Sequence, residues 1–281
     1  MSHFAIGGLQ LELDTSDNLV KISDSIELTM RRFPWLNMLV VSELAVDGSN
    51  TAHAKSFPSA HEQHFCQLAK RLGVWLIPGT QFEKQGQKIF NTATVINSEG
   101  EVVTRYRKVF PFYPYEKDVS SGSEIIVFDV PQGRIGIAIC YDLWFGEMAR
   151  SMVQQGAEVI IYPTMTPTTD RNLELHMAIA TAATNQCYVL SLNGAGKQGN
   201  GNSIAVGPEG QVIHQAQECE QVIPFEVDFK AVRRSRERGL MGLGQPLKSF
   251  RDNGIQFNSD SQVQRQTGAL SELGPLTIPK K

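Results

Sequence analysis

The stretch that decides the fold is residues 134–162, RIGIAICYDLWFGEMARSMVQQGAEVIIY. Its first seven residues alternate isoleucine with small residues, which predicts a strand buried on both faces that ends at Cys140. Residues 146–155 carry apolar side chains at helical spacing, and Gly156 follows as a stop signal. A second apolar strand is predicted at 159–162, so the stretch forms a β-α-β unit.

In open α/β sheets, functional sites lie just beyond the carboxyl ends of the strands, and Cys140 is predicted to lie at such a position. A thiol facing a helix N-terminus there can have its pKa drawn down from about 8.5. Free cysteine in an apolar strand is often only core packing, but polar residues follow Cys140 at once. The remaining cysteines have no Cys or His at metal-ligand spacing: Cys66, Cys187 and Cys219. Cys140 is therefore the predicted nucleophile.

The composition is typical of a soluble globular chain. With 281 residues, 41% of them hydrophobic, the chain has ample material for a core. No apolar run approaches the roughly 20 residues of a membrane span, and no secretory signal is visible, so we expect a cytoplasmic protein without a membrane partner. Unpatterned cysteines fit a reducing compartment. The net charge of -3 predicts no nucleic-acid partner, and the basic cluster 233–238 indicates only a solvated face.

Two charged residues follow other predicted strands. The apolar run Met38–Val41 leads into Glu43, and the second strand of a predicted hairpin, residues 101–108, ends at Lys108. An acid at the junction of a strand and a loop is most often only solvated. Both residues are therefore candidates for a site at the strand ends.

An aromatic loop, PFYPYEKD at residues 111–118, comes next. A loop so rich in Phe, Tyr and Pro is expected to wall a pocket, and a packed surface loop is the alternative. We therefore take Glu116 as a candidate site residue and Tyr113 as a candidate substrate contact.

Two sequence motifs do not meet the requirements of the sites they suggest. HEQH at residues 61–64 has its histidines three apart, whereas a zinc-protease helix needs four, so both histidines are predicted to lie on the surface. Residues 194–199 spell G-x-G-x-x-G, but no helix follows, which argues against a dinucleotide site.

The chain is predicted to fold as one α/β (α+β) domain over residues 1–239. No internal repeat is evident, βα alternation mixes with hairpins, and no linker-like break interrupts residues 4–230. Residues 240–281 are Gly-, Gln- and Ser-rich with scattered apolar side chains. We expect them to form an extended tail that packs on the domain or on a partner subunit.

The sequence closely resembles the nitrilase superfamily of carbon–nitrogen hydrolases. The resemblance rests on VVSELAVDG around Glu43, YRKVF around Lys108 with Glu116 eight residues on, and GIAICYDLWFGEMAR around Cys140. NQCYVLSLNGAG and GNSIAVGPEGQV also match, and these pieces in this order are together highly specific. The resemblance implies a four-layer α-β-β-α sandwich, assembly into homodimers or higher homo-oligomers, and no metal or cofactor.

The resemblance also implies a Glu-Lys-Cys catalytic triad. When the roles of the family's residues are transferred to the matching positions, Cys140 is the nucleophile, Glu43 the general base and Lys108 the cation that stabilises the oxyanion. Glu116 orients the set. The backbone N–H of Tyr141 is a second candidate oxyanion donor and its side chain a candidate substrate contact. These roles meet the needs of acyl transfer, because a thiol needs a base and an oxyanion needs a fixed positive donor.

Departures from the family pattern bear on the substrate. Residues 140–142 read Cys-Tyr-Asp, a form more common among amidases and carbamoylases, whereas nitrilases commonly have Cys-Trp-Glu. Trp144 stands where many amidase-like relatives have Arg, so as a pocket residue it favours an apolar or flat substrate part over a carboxylate. Thr181 and Thr184 replace an Arg and a Glu common in members, so that structural ion pair is expected to be absent.

The first hypothesis is therefore a cysteine-dependent hydrolase that cleaves a small linear amide or N-carbamoyl compound through a thioester and releases ammonia or an amine. Nitrile hydrolysis is one alternative, and a non-catalytic binding or scaffold member is another. A papain-like Cys-His pair would need His176 or His214 beside Cys140, and neither lies in a comparable motif.

Overall fold

The computed structural model describes residues 3–255, 266–267 and 269–278. The strands of this part of the chain are β1 His3–Gln10, β2 Met38–Val41, β3 Trp75–Ile77, β4 Thr80–Gln85, β5 Lys88–Ile96, β6 Val102–Arg107, β7 Ile126–Val130, β8 Gly133–Ile137, β9 Val159–Thr164, β10 Tyr188–Asn193, β11 Ile204–Val206, β12 Val212–Gln215 and β13 Gln221–Asp228. The α-helices are α1 Leu19–Arg32, α2 Ala60–Leu72, α3 Gly146–Gln154, α4 Arg171–Asn185, α5 Phe229–Arg238 and α6 Pro246–Asp252.

The first sheet has the order β13-β1-β2-β3-β5-β4, and β6 also pairs with β5. Strands β1, β2 and β3 are parallel. Strand β5 is antiparallel to both β3 and β6, so β6 runs in the same direction as β2. The carboxyl ends of β2 and β6 therefore reach the same edge, and Glu43 and Lys108 follow those two ends.

The second sheet has the order β12-β11-β10-β9-β8-β7. Strands β8, β9 and β10 are parallel, whereas β7 is antiparallel to β8. The predicted β-α-β unit is thus β8-α3-β9. A Cβ at Gly136 would lie 2.7 Å from the sulfur of Met152 on α3. The small residues of β8 are therefore what lets this helix pack closely on the sheet.

The core has two parts. Apolar side chains from the inner faces of both sheets, such as Val40 and Ile137, pack with residues of α3 and α4 in one cluster. Helices α1 and α2 cover the outer face of the first sheet through Ile26 and Phe65. Each fully buried side chain of this size contributes roughly 1.5–3 kcal/mol of hydrophobic stabilisation. The layers follow the order α-β-β-α, so the predicted four-layer sandwich is confirmed.

The prediction that both histidines of HEQH lie on the surface is wrong. His61 is buried, and its Nδ1 lies 3.3 Å from Asp47 Oδ1 and 3.0 Å from Lys55 Nζ. His64 is half-buried against α1. Asp17, Asp47 and His61 bring potential metal-ligand atoms together, but the Lys55 ammonium lies 2.6 Å from Asp47 Oδ1 and already supplies a cation there.

The basic cluster 233–238 is more than a solvated face. It forms most of α5, whose Val232 and Ser235 are buried. Arg233 pairs with Glu158 at 2.8 Å, and Arg236 donates to backbone carbonyls of the second sheet's loops. The cluster is thus the basic face of an amphipathic helix that packs on the second sheet.

One segment near the start of the predicted tail packs against the sandwich. Helix α6 contacts α4, and the guanidinium of Arg150 lies 5.0 Å from the ring centre of Phe250. Met241, Leu243 and Leu276 remain largely exposed. Residues 256–265, within the predicted tail, lie outside the described residues. None of the described helices combines the length and the apolar character that crossing a membrane requires.

Candidate active site

Four predicted residues come together where the two sheets meet. Glu43 follows β2, Lys108 follows β6, and Cys140 lies three residues beyond β8. The backbone N–H of Glu43 donates to the carbonyl of Thr164, the last residue of β9, at 3.2 Å, which joins the strand ends of the two sheets. Glu43 is 2% exposed, Lys108 1% and Cys140 8%. The strand ends therefore form a buried polar site.

Lys108 lies between two carboxylates. Its Nζ donates to Glu43 Oε1 at 2.8 Å and to Glu116 Oε2 at 2.9 Å. Burial alone would lower the pKa of Lys108, but Glu43, the Cys140 thiol and Glu116 raise it well above its usual value. Lys108 is therefore a fixed cation in a site that excludes water.

Glu43 has the properties of a base. Burial raises the pKa of Glu43 above its ordinary value, and the nearby charge of Glu116 adds to this, whereas Lys108 and a hydrogen bond with the Cys140 thiol oppose it. The amide of Asn91 also donates to Glu43 Oε1 at 2.8 Å. A carboxylate whose pKa is raised, and which is hydrogen-bonded to a thiol, is suited to accept the proton of that thiol.

Glu116 fastens the aromatic loop to the site. Besides the bond from Lys108, its Oε2 accepts the backbone N–H of Phe112 at 2.5 Å. Through residues such as Tyr115 and Asp118, the loop lines a groove of about 650 Å³ together with Leu44 and Met165. Glu116 thus links the lysine to the wall of this groove.

The backbone places the thiol in a strained position. Cys140 has φ +47°, in the left-handed region that residues other than glycine seldom adopt, and it begins a 3₁₀ turn, Cys140–Trp144. The buried carboxylate of Asp142 holds this turn by accepting the N–H of Ile139 at 2.8 Å and that of Phe110 at 2.8 Å. Burial raises the pKa of Asp142 to about 6.

The sequence expectation that the thiol pKa is drawn down is wrong for this resting state. Burial, followed by the charge of Glu43, raises the pKa of Cys140 well above its usual value, although Lys108 and the backbone N–H of Met165 act in the opposite direction. The sulfur therefore rests as a thiol, and a base must remove its proton during the reaction.

Two of the three candidate substrate contacts, Tyr113 and Trp144, use their polar groups in hydrogen bonds within the protein. The hydroxyl of Tyr113 donates to the carbonyl of Val119 at 2.5 Å, and the indole N–H of Trp144 donates to Glu174 at 3.4 Å. The half-buried ring of Tyr141 packs against Phe112, with ring centres 4.8 Å apart, and also against Trp144 and Phe145. These rings form an aromatic wall beside the nucleophile.

The papain-like alternative has no support in the geometry. Nδ1 of His176 bonds to the carbonyl of Asn172 on its own helix, and His214 bonds to Gln221 at the far edge of the second sheet. Within the described residues, no histidine contact with Cys140 is found.

The sequence pattern did not indicate that Asp142 holds the turn, nor that Thr166 and Glu174 lie at the site. Thr166 lies two residues beyond β9, and its Oγ1 is 3.9 Å from the Cys140 sulfur. The rule that directed attention to Cys140, a polar residue just beyond a buried strand, would also have found Thr166. Glu174 gave no such signal, because it lies within α4.

An α-β-β-α sandwich with a buried cysteine, lysine and glutamate at its strand ends defines a cysteine-dependent hydrolase of carbon–nitrogen bonds. Comparison with known proteins agrees with this class. The chain belongs to the carbon-nitrogen hydrolase family, whose family model matches residues 4–237.

Relatives of this chain include omega-amidases and a solved structure from the nitrilase superfamily. Omega-amidase NIT3 of Saccharomyces cerevisiae is 27% identical over 249 residues, covering 80% of this chain and 86% of the relative. Omega-amidase NIT2 of Xenopus tropicalis is 30% identical over 203 residues, covering 66% and 73%. The crystal structure of Saccharomyces cerevisiae Nit3, a member of branch 10 of the nitrilase superfamily, matches with TM-score 0.78 and 28% identity, covering 84% of this chain and 94% of that chain.

Proposed function

We propose that this protein hydrolyses the C–N bond of a small linear amide or N-carbamoyl compound, with Cys140 as nucleophile, Glu43 as general base and Lys108 as oxyanion stabiliser. The observation that carries the proposal is the buried Lys108 ammonium bonded to both Glu43 and Glu116 beside the thiol. The omega-amidase relatives support an amide substrate.

For an amide, the first half of the reaction forms a thioester. As the Cys140 sulfur bonds to the carbonyl carbon, Glu43 accepts the thiol proton, and the carbonyl oxygen becomes an oxyanion. The Lys108 ammonium and the backbone N–H of Tyr141 stabilise that charge. The C–N bond then breaks, the nitrogen takes the proton from Glu43, and ammonia or an amine leaves.

The second half releases the acid. Glu43 accepts a proton from water as the water oxygen bonds to the thioester carbon. The C–S bond breaks, the sulfur recovers a proton from Glu43, and a carboxylic acid leaves. The complete cycle thus begins and ends with a protonated thiol and an ionised Glu43, in keeping with the raised pKa of the resting thiol.

The test is an ammonia-release screen over primary amides, ureido acids and nitriles. Cys140→Ala should abolish release from the best substrate, whereas Cys219→Ala, a change at an exposed cysteine, should leave it unchanged. Full ammonia release by Cys140→Ala would overturn the proposal. The matched nitrile of the best amide separates the nitrilase alternative, because a nitrilase would turn over the nitrile faster than the amide.

The non-catalytic alternative is tested by labelling with iodoacetamide, an electrophile that itself carries a primary amide. A catalyst should be labelled preferentially at Cys140, and an amide substrate should protect that site. Labelling of Cys140 at the same rate as Cys66, Cys187 and Cys219 would instead support a scaffold role.

We further propose that the chain acts as a homodimer or higher homo-oligomer, and that its tail packs on a partner subunit. The exposed Met241, Leu243 and Leu276 support this, because each is a large apolar side chain that a partner subunit could cover. A cytoplasmic location is supported by four free cysteines.

A further inference from the structure

A second buried polar network touches Cys140 and takes no part in the mechanism above. Thr166 is 5% exposed, and its Oγ1 lies 3.9 Å from the Cys140 sulfur. The hydroxyl also lies 3.1 Å from Oε1 and 3.0 Å from Oε2 of Glu174. Thr166 thus stands between the nucleophile and a buried carboxylate.

Glu174 determines whether the Thr166 hydroxyl donates or accepts a hydrogen bond on each side. A threonine hydroxyl has one proton and two lone pairs, and an ionised carboxylate can only accept hydrogen bonds. The proton of Thr166 must therefore point to Glu174. Toward the sulfur and any substrate bound there, Thr166 presents a lone pair and acts only as an acceptor.

Glu174 is held as that acceptor by buried donors. Nη1 of Arg171 donates to Glu174 Oε2 at 3.0 Å, and Arg171 is only 1% exposed. The remaining N–H groups of this guanidinium bond to Ser191 and to the carbonyl of Asn202. A guanidinium with every donor engaged cannot turn toward a substrate, so its part is to keep Glu174 in place.

We propose that Thr166 accepts a hydrogen bond from the scissile nitrogen of the substrate and so selects carboxamides over esters and nitriles. The inference rests on the proposed function and names the substrate class of that site: compounds whose scissile nitrogen carries an N–H. The distances permit it, because reacting atoms approach to about 3–3.5 Å and an N–H···O bond spans about 2.9 Å. An amide can meet both conditions across the 3.9 Å between Sγ and Oγ1, with its carbonyl carbon near the sulfur and its nitrogen near the Thr166 hydroxyl.

The backbone of Thr166 does not depend on its side chain. Its N–H donates to Asn193 Oδ1 at 2.8 Å, and its carbonyl accepts from Asn193 Nδ2 at 3.0 Å and from the N–H of Asn200 at 3.1 Å. Thr166→Val, which has nearly the same shape, should therefore keep the loop in place while it removes the acceptor.

The experiment compares a primary amide with the methyl ester of the same acid, measured as kcat/KM for the full chain. Both substrates give the same thioester, so hydrolysis of that intermediate is common to them. Thr166→Val should lower the ratio of amide to ester kcat/KM by about 10- to 100-fold, because a buried donor then has no acceptor. Thr166→Ser, which keeps the hydroxyl, should retain the wild-type ratio.

An unchanged ratio in Thr166→Val would overturn the inference, and so would an equal loss in Thr166→Ser. If Thr166→Val does not fold, Thr166→Ala removes the same acceptor without adding volume, and the same outcomes apply to it. Failure of the proposed function is a different result, namely a wild type without Cys140-dependent release of ammonia from any amide.

Discussion

The carboxylate of Asp142 connects the nucleophile turn to the rest of the site, and its removal has a calculable effect on stability. It is fully buried and accepts bonds from the Tyr106 hydroxyl at 2.7 Å and from the N–H groups of Ile139 and Phe110, both at 2.8 Å. Burial nevertheless raises its pKa from 3.8 to about 6, so desolvation of the charge outweighs the three bonds.

The raised pKa determines the sign and the size of the effect. The folded state binds the proton of Asp142 more tightly than the unfolded state does, so the group stabilises the fold below pH 3.8, and this stability is lost as pH rises through about 6. A shift of about 2 pKa units corresponds to a loss of about 3 kcal/mol. Asp142→Asn has no proton to exchange, so the stability of the wild type relative to the variant should fall by about 3 kcal/mol between about pH 4 and pH 7.

The assay is urea-induced unfolding of the wild type and of Asp142→Asn, followed by tryptophan fluorescence at several pH values in this range. Asp24→Asn, a change at an exposed carboxylate of α1, is the matched control and should follow the wild type. If the wild type and Asp142→Asn keep a constant stability difference over the whole range, the reasoning about this buried carboxyl is refuted.

Two further predictions concern charge and assembly. Lys108→Met leaves Glu43 and Glu116 together without their shared cation, so the free energy of unfolding at pH 7 should fall by about 3–5 kcal/mol; a loss below about 1 kcal/mol in urea unfolding would contradict this. A chain cut at residue 240 should form a smaller assembly and melt at a lower temperature, measured by light scattering and thermal unfolding, and full size and stability in the truncated chain would disprove the role given to the tail.

The features that local pattern determines were predictable from the sequence. The apolar run Met38–Val41 could only be a buried strand, and a charged residue just past it had to lie at the sheet edge. Likewise the helix predicted at 146–155 is observed as α3, Gly146–Gln154, and the strand predicted at 159–162 forms most of β9. In these segments the local residue pattern determines the element, and the structure agrees with the prediction to within one or two residues.

The features that depend on distant segments were not predictable. His61 is buried because Asp47 and Lys55, from the loop after β2, lie over the start of α2, and no spacing within HEQH encodes that contact. The direction of the thiol pKa depends on how closely Glu43 approaches Cys140 and on how completely the fold removes water. Both are properties of the packed sandwich rather than of either strand.

A protonated resting thiol has a consequence for selectivity. In the proposed mechanism the sulfur stays neutral until Glu43 accepts its proton during attack, whereas a free thiolate would react with many electrophiles. In that mechanism Lys108, which two carboxylates engage at rest, becomes available to the oxyanion as Glu43 is neutralised by that proton. Deprotonation of the nucleophile and stabilisation of the oxyanion are thus coupled through one lysine. We therefore expect Glu43→Gln, whose amide cannot accept the thiol proton, to impair both deprotonation of the nucleophile and stabilisation of the oxyanion.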